Sequence, residues 1–146
     1  MKTLLTAATL AVAALGLPAA AQEAPDTLVT VLTAPEPQTQ LMAMVLTMQA
    51  LGQGKSAHVL LCGPAGDMAL KEAPDSATAA QPPKAMSPQG LMQMIMTKPK
   101  AKVEVCAIYL PGKGATAEVL LDGVTVADPG TMAAAIMAPN ARVASY

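Results

Sequence analysis

Five short, mainly apolar segments, the first of them rich in β-branched residues, alternate along this sequence with segments of helical character. The predicted strands are 27–33, 57–62, 102–108, 123–127 and 141–146, and the predicted helices between them are 39–51, 67–72, 91–97, 115–121 and 131–137. Strands separated by helices pair in parallel through right-handed crossovers, which places helices on both faces of the sheet. The sequence therefore predicts an α/β fold, a three-layer α/β/α domain with a five-stranded, mainly parallel sheet.

Two dipeptides mark helix starts within this pattern. Ser87-Pro88 and Asp128-Pro129 each place an N-cap residue before a proline at the first helical position. The Ala-, Pro- and Ser-rich residues 73–87 predict a surface loop ahead of the first of these helices.

The first 21 residues have the pattern of a secretory signal peptide. Lys2 precedes an apolar run at 3–17, and Pro18 and three alanines follow, which predicts cleavage between Ala21 and Gln22. The run is about 15 residues long, shorter than the ~20 that span a bilayer, so a membrane anchor is the weaker alternative. We expect a periplasmic or secreted protein in which residues 22–146 form a single domain, with no membrane association after cleavage.

Composition excludes several classes of partner. The formal net charge is −1 and Arg142 is the single arginine, so no surface for tracking phosphates is expected and nucleic acid is excluded as a partner. The sequence has no Gly-x-Gly-x-x-Gly opening a helix and no Walker motif, and we expect no cofactor.

Two predicted helices are more apolar than a monomer requires. Met42 and Leu46 lie off the main stripe of the helix at 39–51, and the helix at 91–97 is apolar on most of its surface. Surplus apolar surface is typical of a subunit interface, so we expect a homo-oligomer.

Cys106 is the first candidate for chemistry. Ligands of parallel sheets bind at the carboxyl ends of the strands, and Cys106 lies toward the end of a predicted strand, before a loop that contains Lys113. Backbone amides and the Lys113 ammonium would favour its thiolate. The alternative is a buried structural cysteine, which is a common role for this residue type. Glu104, two residues earlier on the same face, would tune the thiol in the first case.

Cys62, at the end of the second predicted strand, is a possible second thiol. Exported proteins with two cysteines often pair them, and a Cys62–Cys106 disulfide would contribute roughly 3–4 kcal/mol by closing a long loop. If the first strand lies between the two cysteine-bearing strands, as in flavodoxin-like order, the separation is roughly 9–10 Å, too far for a disulfide. The sequence alone leaves open whether Cys62 and Cys106 are free or paired.

Metal binding has weaker support. Met92, Met94 and Met96 occupy alternate positions, and thioethers are good ligands for copper. However, side chains two positions apart on a helix point to different faces. In a chain with eleven Met and no Phe or Trp, methionine is more simply explained as the residue that fills the core. His58 is the only histidine and is expected to pack in the core. We therefore expect no metal site, and soft-metal binding stays a minor alternative.

Residues 102–128 follow a recognisable pattern: a predicted strand ending in Val-x-Val-Cys leads to a glycine turn and then to a Leu-x-x-Gly-Val segment. The residues concerned are Val103, Val105, Cys106, Gly112, Gly114, Leu120, Leu121, Asp122, Gly123 and Val124. This pattern resembles the DsrE/DsrF-like family. The resemblance extends over residues 27–146, because the order of strands and helices in the N-terminal half also agrees.

The resemblance implies an oligomeric α/β/α domain in which Cys106 occupies the position that carries a persulfide in sulfur-trafficking members. The first hypothesis is a sulfane-sulfur carrier in which Cys106 is the acceptor, Tyr109 and Lys113 shape its pocket, and a sulfur donor or acceptor protein is the partner. The alternative is a non-catalytic homo-oligomeric binding module with a structural Cys106. The sequence leaves open whether the protein is an enzyme.

Overall fold

The computed structural model describes residues 26–146. The predicted signal peptide and its cleavage site lie outside these residues. Between residues 26 and 146, no helix combines the length and the apolar character that crossing a lipid bilayer requires.

Strands and helices alternate through the described chain. The strands are β1 (Thr27–Leu32), β2 (Ser56–Leu61), β3 (Ala101–Val105), β4 (Thr125–Val126) and β5 (Ala141–Ser145). The α-helices are α1 (Pro37–Gly52), α2 (Asp75–Thr78), α3 (Pro88–Met96), α4 (Tyr109–Lys113) and α5 (Pro129–Met137). Two 3₁₀ helices, Gly63–Ala69 and Ala117–Val119, complete the connections that follow β2 and β3.

The five strands form one parallel sheet in the order β4-β3-β2-β1-β5. Leu61, the last residue of β2, is in register with Leu32 of β1 and with Val105 of β3. The three central strands therefore end at the same level, and the residues that follow them meet along one edge of the sheet.

Helices cover both faces of the sheet. On one face, Val59, Leu61 and Val105 pack in a core with Met44 of α1 and Met92 of α3. On the other face, Val29, Leu60 and Ala127 pack with Met132 of α5. Because successive strand residues point to opposite faces, these two cores lie on opposite sides of the sheet. The predicted three-layer α/β/α architecture is confirmed, with a sheet that is parallel throughout.

Local predictions fail in the connections after β2 and β3. The helix predicted at 67–72 is instead the 3₁₀ helix Gly63–Ala69, and the helix predicted at 115–121 is reduced to the 3₁₀ turn Ala117–Val119. The reason is long-range backbone pairing: Lys71 N donates to Val119 O, and Leu121 N donates to Ala69 O. The two segments satisfy each other's backbone, which ends the helical turn at Val119 and keeps residues 120–121 extended.

Candidate functional site

Cys62 and Cys106 immediately follow the neighbouring strands β2 and β3. Their Cα atoms are 5.1 Å apart and the two side chains form a disulfide. Each cysteine continues the ladder of its strand, since Cys62 N donates to Leu32 O and Cys106 N donates to Leu61 O, both at 2.9 Å. The sheet therefore presents a disulfide at its carboxyl-end edge, where parallel sheets bind ligands.

The flavodoxin-like strand order considered above is wrong for this chain. β1 pairs with β2 and β5, so it does not separate the two cysteine-bearing strands. Neighbouring strands lie about 4.8 Å apart, well within the reach of a disulfide. With β2 and β3 adjacent, Cys62 and Cys106 are close enough to form a disulfide.

An apolar hollow of about 320 Å³ adjoins Cys106. Its walls include Leu60, Ile108, Ala127, Met132 and Ile136. Among residues 26–146, no charged side chain contributes to these walls, and Cys62 is not one of the lining residues. Both cysteines pack against the apolar cluster that includes Leu60 and Met132, but of the two only Cys106 lines the hollow.

Tyr109 and Lys113 converge on Asp67 and are not part of the lining of that hollow. The Tyr109 hydroxyl donates to Asp67 Oδ1 at 2.6 Å, and Lys113 Nζ lies 2.7 Å from the same oxygen. Burial, reinforced by the hydrogen bond to the Asp67 carboxylate and by its charge, strongly raises the pKa of Tyr109. Tyr109 therefore stays protonated and ties α4 to the 3₁₀ helix that follows β2.

The turn from Cys106 into α4 depends on this tie. Tyr109 N donates to Cys106 O at 2.9 Å, so the ring is fixed only three residues beyond the cysteine. The ring packs directly over Gly66, where a Cβ atom would overlap it. The contact of Asp67 with residues 42 and 46 positions later along the chain has no local signal in the sequence. The spacing of Tyr109 and Lys113 does indicate a shared helix face.

A polar cluster lies on the same face of the sheet as the two cysteines. Glu104 is 4% exposed, and its carboxylate has three partners: His58 Nε2 at 2.6 Å, Lys102 Nζ at 3.0 Å and the Thr125 hydroxyl at 3.0 Å. Burial raises the pKa of Glu104, but the hydrogen bonds from these partners and the Lys102 charge outweigh it, so that the pKa is lowered overall. His58 is thus a partner of a buried carboxylate, beyond the packing role that the sequence predicts.

The methionines that alternate in the sequence separate in the structure. Met92 and Met44 are fully buried, whereas Met94 and Met42 are about half exposed. Within the described part of the chain, no cluster of three or more His, Cys, Asp or Glu side chains is arranged to hold a metal ion.

These elements build the fold of the DsrE/DsrF-like proteins. The YchN protein of E. coli matches it with a TM-score of 0.65 at 14% sequence identity, over 84% of this chain and 99% of YchN. MTH1491 of Methanobacterium thermoautotrophicum, a protein of unknown function, matches with a TM-score of 0.57 at 10% identity, over 82% of this chain and 97% of its own. No protein-family model and no curated protein matches the sequence. The likeness confirms the fold that the resemblance implies.

Proposed function

We propose that this chain is an exported sulfane-sulfur carrier in which Cys106 accepts the sulfur and Cys62 is its partner thiol. The observation that carries the proposal is the position of Cys106, at the carboxyl edge of the parallel sheet and beside a hollow that a small sulfur species can enter. The disulfide supports the proposed export of the chain, because disulfides persist in oxidising compartments outside the cytosol.

The dithiol form is the one that accepts sulfur from a persulfide donor. An external dithiol first supplies two electrons and two protons to open the Cys62–Cys106 bond. The Cys106 thiolate then attacks the outer sulfur of the donor, a new S–S bond forms at Cys106, and the donor leaves as its own thiolate. A second attack, by the thiol of an acceptor protein, passes the outer sulfur on and restores the Cys106 thiolate.

Tyr109 and Lys113 enter this proposal in different ways. Tyr109 is a positioning residue, because its bonds to Asp67 and to the Cys106 carbonyl fix the turn on which Cys106 lies. Lys113 is partly exposed and offers an ammonium group to a donor or acceptor at the rim, although Asp67 neutralises part of its charge. Its role in substrate binding stays a prediction.

The test is sulfur uptake by the reduced protein. After reduction and removal of the reductant, the parent protein is incubated with a small-molecule persulfide and examined by intact mass under native conditions. We expect a gain of one sulfur atom in the parent and in Cys62→Ser, and no gain in Cys106→Ser. Equal uptake by Cys106→Ser would refute the proposal.

The second candidate is a binding module in which the disulfide is purely structural. The pairing of both cysteines in one bond favours it, since a disulfide has no free thiol to react. This candidate predicts that the reduced protein takes up no sulfur at either cysteine, whereas the carrier takes it up at Cys106. The same mass measurement separates the two.

A further inference from the structure

The carrier as proposed needs a reductant before it can take up sulfur, and the disulfide offers a route that does not. We propose that the oxidised protein is loaded directly by hydrogen sulfide, which opens the Cys62–Cys106 bond by attack on Cys106 from the apolar hollow. This inference rests on the proposed function and names its substrate class. It assigns the disulfide a chemical role as the two-electron oxidant of sulfide.

The reaction balances without any further reagent. Hydrosulfide donates an electron pair to Cys106 Sγ, forming a new S–S bond, while the bond to Cys62 breaks and Cys62 leaves with its electron pair as a thiolate. The sulfide sulfur is oxidised and the Cys62 sulfur is reduced. The products are a Cys106 persulfide and a Cys62 thiolate, which takes a proton from water. Transfer of the outer sulfur to an acceptor thiol leaves the dithiol, and exchange with a second protein's disulfide restores the starting state.

The direction of attack follows from the unequal surroundings of the two cysteines. A nucleophile reacts with the disulfide sulfur that it can reach, and the other sulfur becomes the leaving group. Cys106 borders the hollow and Cys62 does not. Entry through the hollow therefore delivers sulfide to Cys106, which places the persulfide on the residue that the proposed function names as the carrier.

The walls of the hollow select for a small species with little charge. Along the described chain, the lining comes from Ala, Ile, Leu, Met, Pro and Cys106, so no cation there compensates an entering anion. A dianion such as thiosulfate or sulfite would lose its hydration without a partner, which is costly. Hydrogen sulfide enters as the neutral molecule and loses a single proton, to water, before the resulting hydrosulfide attacks.

The experiment uses the oxidised protein without reductant. Separate samples are treated with sulfide, thiosulfate or sulfite, then alkylated, digested and mapped by mass spectrometry. We expect sulfide to produce one extra sulfur on the Cys106 peptide and a singly alkylated Cys62 peptide, and thiosulfate and sulfite to leave the disulfide closed. Extra sulfur on Cys62, or loading by thiosulfate as fast as by sulfide, would overturn the inference.

A charge placed in the hollow gives a matched test. Ala133 is an exposed residue of α5 that lines the hollow, and its neighbour Ala134 is exposed on α5 outside the lining. Ala133→Asp should slow the opening of the disulfide by sulfide about tenfold or more, since the carboxylate disfavours the hydrosulfide anion that must form in the hollow to attack Cys106. Ala134→Asp should react like the parent. Equal rates in the two variants would contradict entry through the hollow.

Sulfide loading of the oxidised protein and sulfur transfer to the reduced protein are measured separately, so either can fail without the other being misread. If the reduced protein takes sulfur from a persulfide on Cys106 but the oxidised protein is inert to sulfide, this inference fails and the carrier stands. If neither form acquires sulfur, the carrier fails and this inference fails with it.

Discussion

The Glu104 carboxylate shows how a single buried residue depends on its neighbours. It lies on one face of the sheet, where its three partners come from three strands: His58 from β2, Lys102 from β3 and Thr125 from β4. Without them, burial of the carboxylate would favour its neutral form. With them, the charged form is held in place, and the folded state gains stability from it.

Glu104→Gln should reveal this gain as a pH dependence. The pKa of Glu104 is lowered on folding from its ordinary value of 4.5, so its contribution is complete above that pH and is lost as the pH falls through the lower, folded-state pKa. We expect the variant to be less stable by about 1–3 kcal/mol near neutral pH, because donors to the carboxylate lose a charged partner. The deficit should shrink as the medium becomes more acidic than pH 4.5.

Urea unfolding of the parent and the variant across that range measures the effect. Glu72→Gln, at an exposed position, is the matched control for the loss of one carboxylate. A deficit that stays constant over the whole range would show that the charge of Glu104 has no part in stabilising the fold.

Gly66 tests the packing beneath Tyr109. A Cβ atom at this position overlaps the Tyr109 ring, so Gly66→Ala has to displace the ring or the backbone, at a cost of about 1–3 kcal/mol. Gly112→Ala is the control, since a Cβ there meets nothing within 4 Å. Thermal unfolding should show a lower Tm for Gly66→Ala alone. In a Tyr109→Ala background the extra cost should vanish, and a cost that persists would place the clash elsewhere.

At the level of the elements, the sequence predicts best where local chemistry decides the outcome. The caps are confirmed: Ser87 Oγ accepts from Gly90 N and begins α3, and Asp128 Oδ1 accepts from Thr131 N and begins α5. β1 follows the β-branched run at 27–33 to within one residue. These features depend on residues at most four positions apart, which the sequence displays directly.

The features that the sequence does not reveal depend on distant partners. Residues 115–121 have a helical pattern, but Leu121 bonds to Ala69 and Leu120 bridges to Leu70, and a tertiary pairing of this kind overrides propensity. The order of the strands escapes sequence reasoning for the same reason, because the ends of β2 and β3 meet only after a long connection has folded. The disulfide and the Asp67–Tyr109 bond both follow from that adjacency.

Ser87→Ala should weaken α3 by about 1 kcal/mol, since the first turn loses a side-chain acceptor for the Gly90 amide. Ser76→Ala, at an exposed position of the short helix α2, is the matched control. Chemical unfolding of both variants checks the prediction. Equal stabilities would mean that the cap adds nothing beyond what proline at the first helical position already provides.

At the scale of the molecule, the two faces of the sheet are covered unequally. α1 and α3 pack on one face, whereas α5, a single helix about 10 Å wide, packs on the other. Five strands span about 19 Å between the outer two, so α5 leaves part of its face open. This opening is what leaves a hollow beside Cys106, and it connects the architecture to the chemistry proposed for the disulfide.

The other helical face carries the apolar surface on which the expected homo-oligomer depends. Met42 and Leu46 of α1 are 53% and 44% exposed, and Met94 of the neighbouring α3 is 48% exposed. A monomer gains nothing from methionine and leucine at these positions, whereas a second copy would remove their surface from water at about 25 cal/mol per Å². We therefore place the predicted subunit contact on the α1–α3 face.

A charge on that face should separate the subunits. Leu46→Glu is expected to raise the dissociation constant about tenfold or more, because an unpaired carboxylate would be buried on association. Met137→Glu, on α5 across the sheet, introduces the same charge at another exposed apolar residue and should leave the assembly intact. Sedimentation velocity over a range of protein concentrations measures both. A parent that sediments as a monomer throughout would reject the oligomer, and dissociation by Met137→Glu alone would move the contact to the α5 face, where it would cover the hollow and restrict the access of sulfide to Cys106.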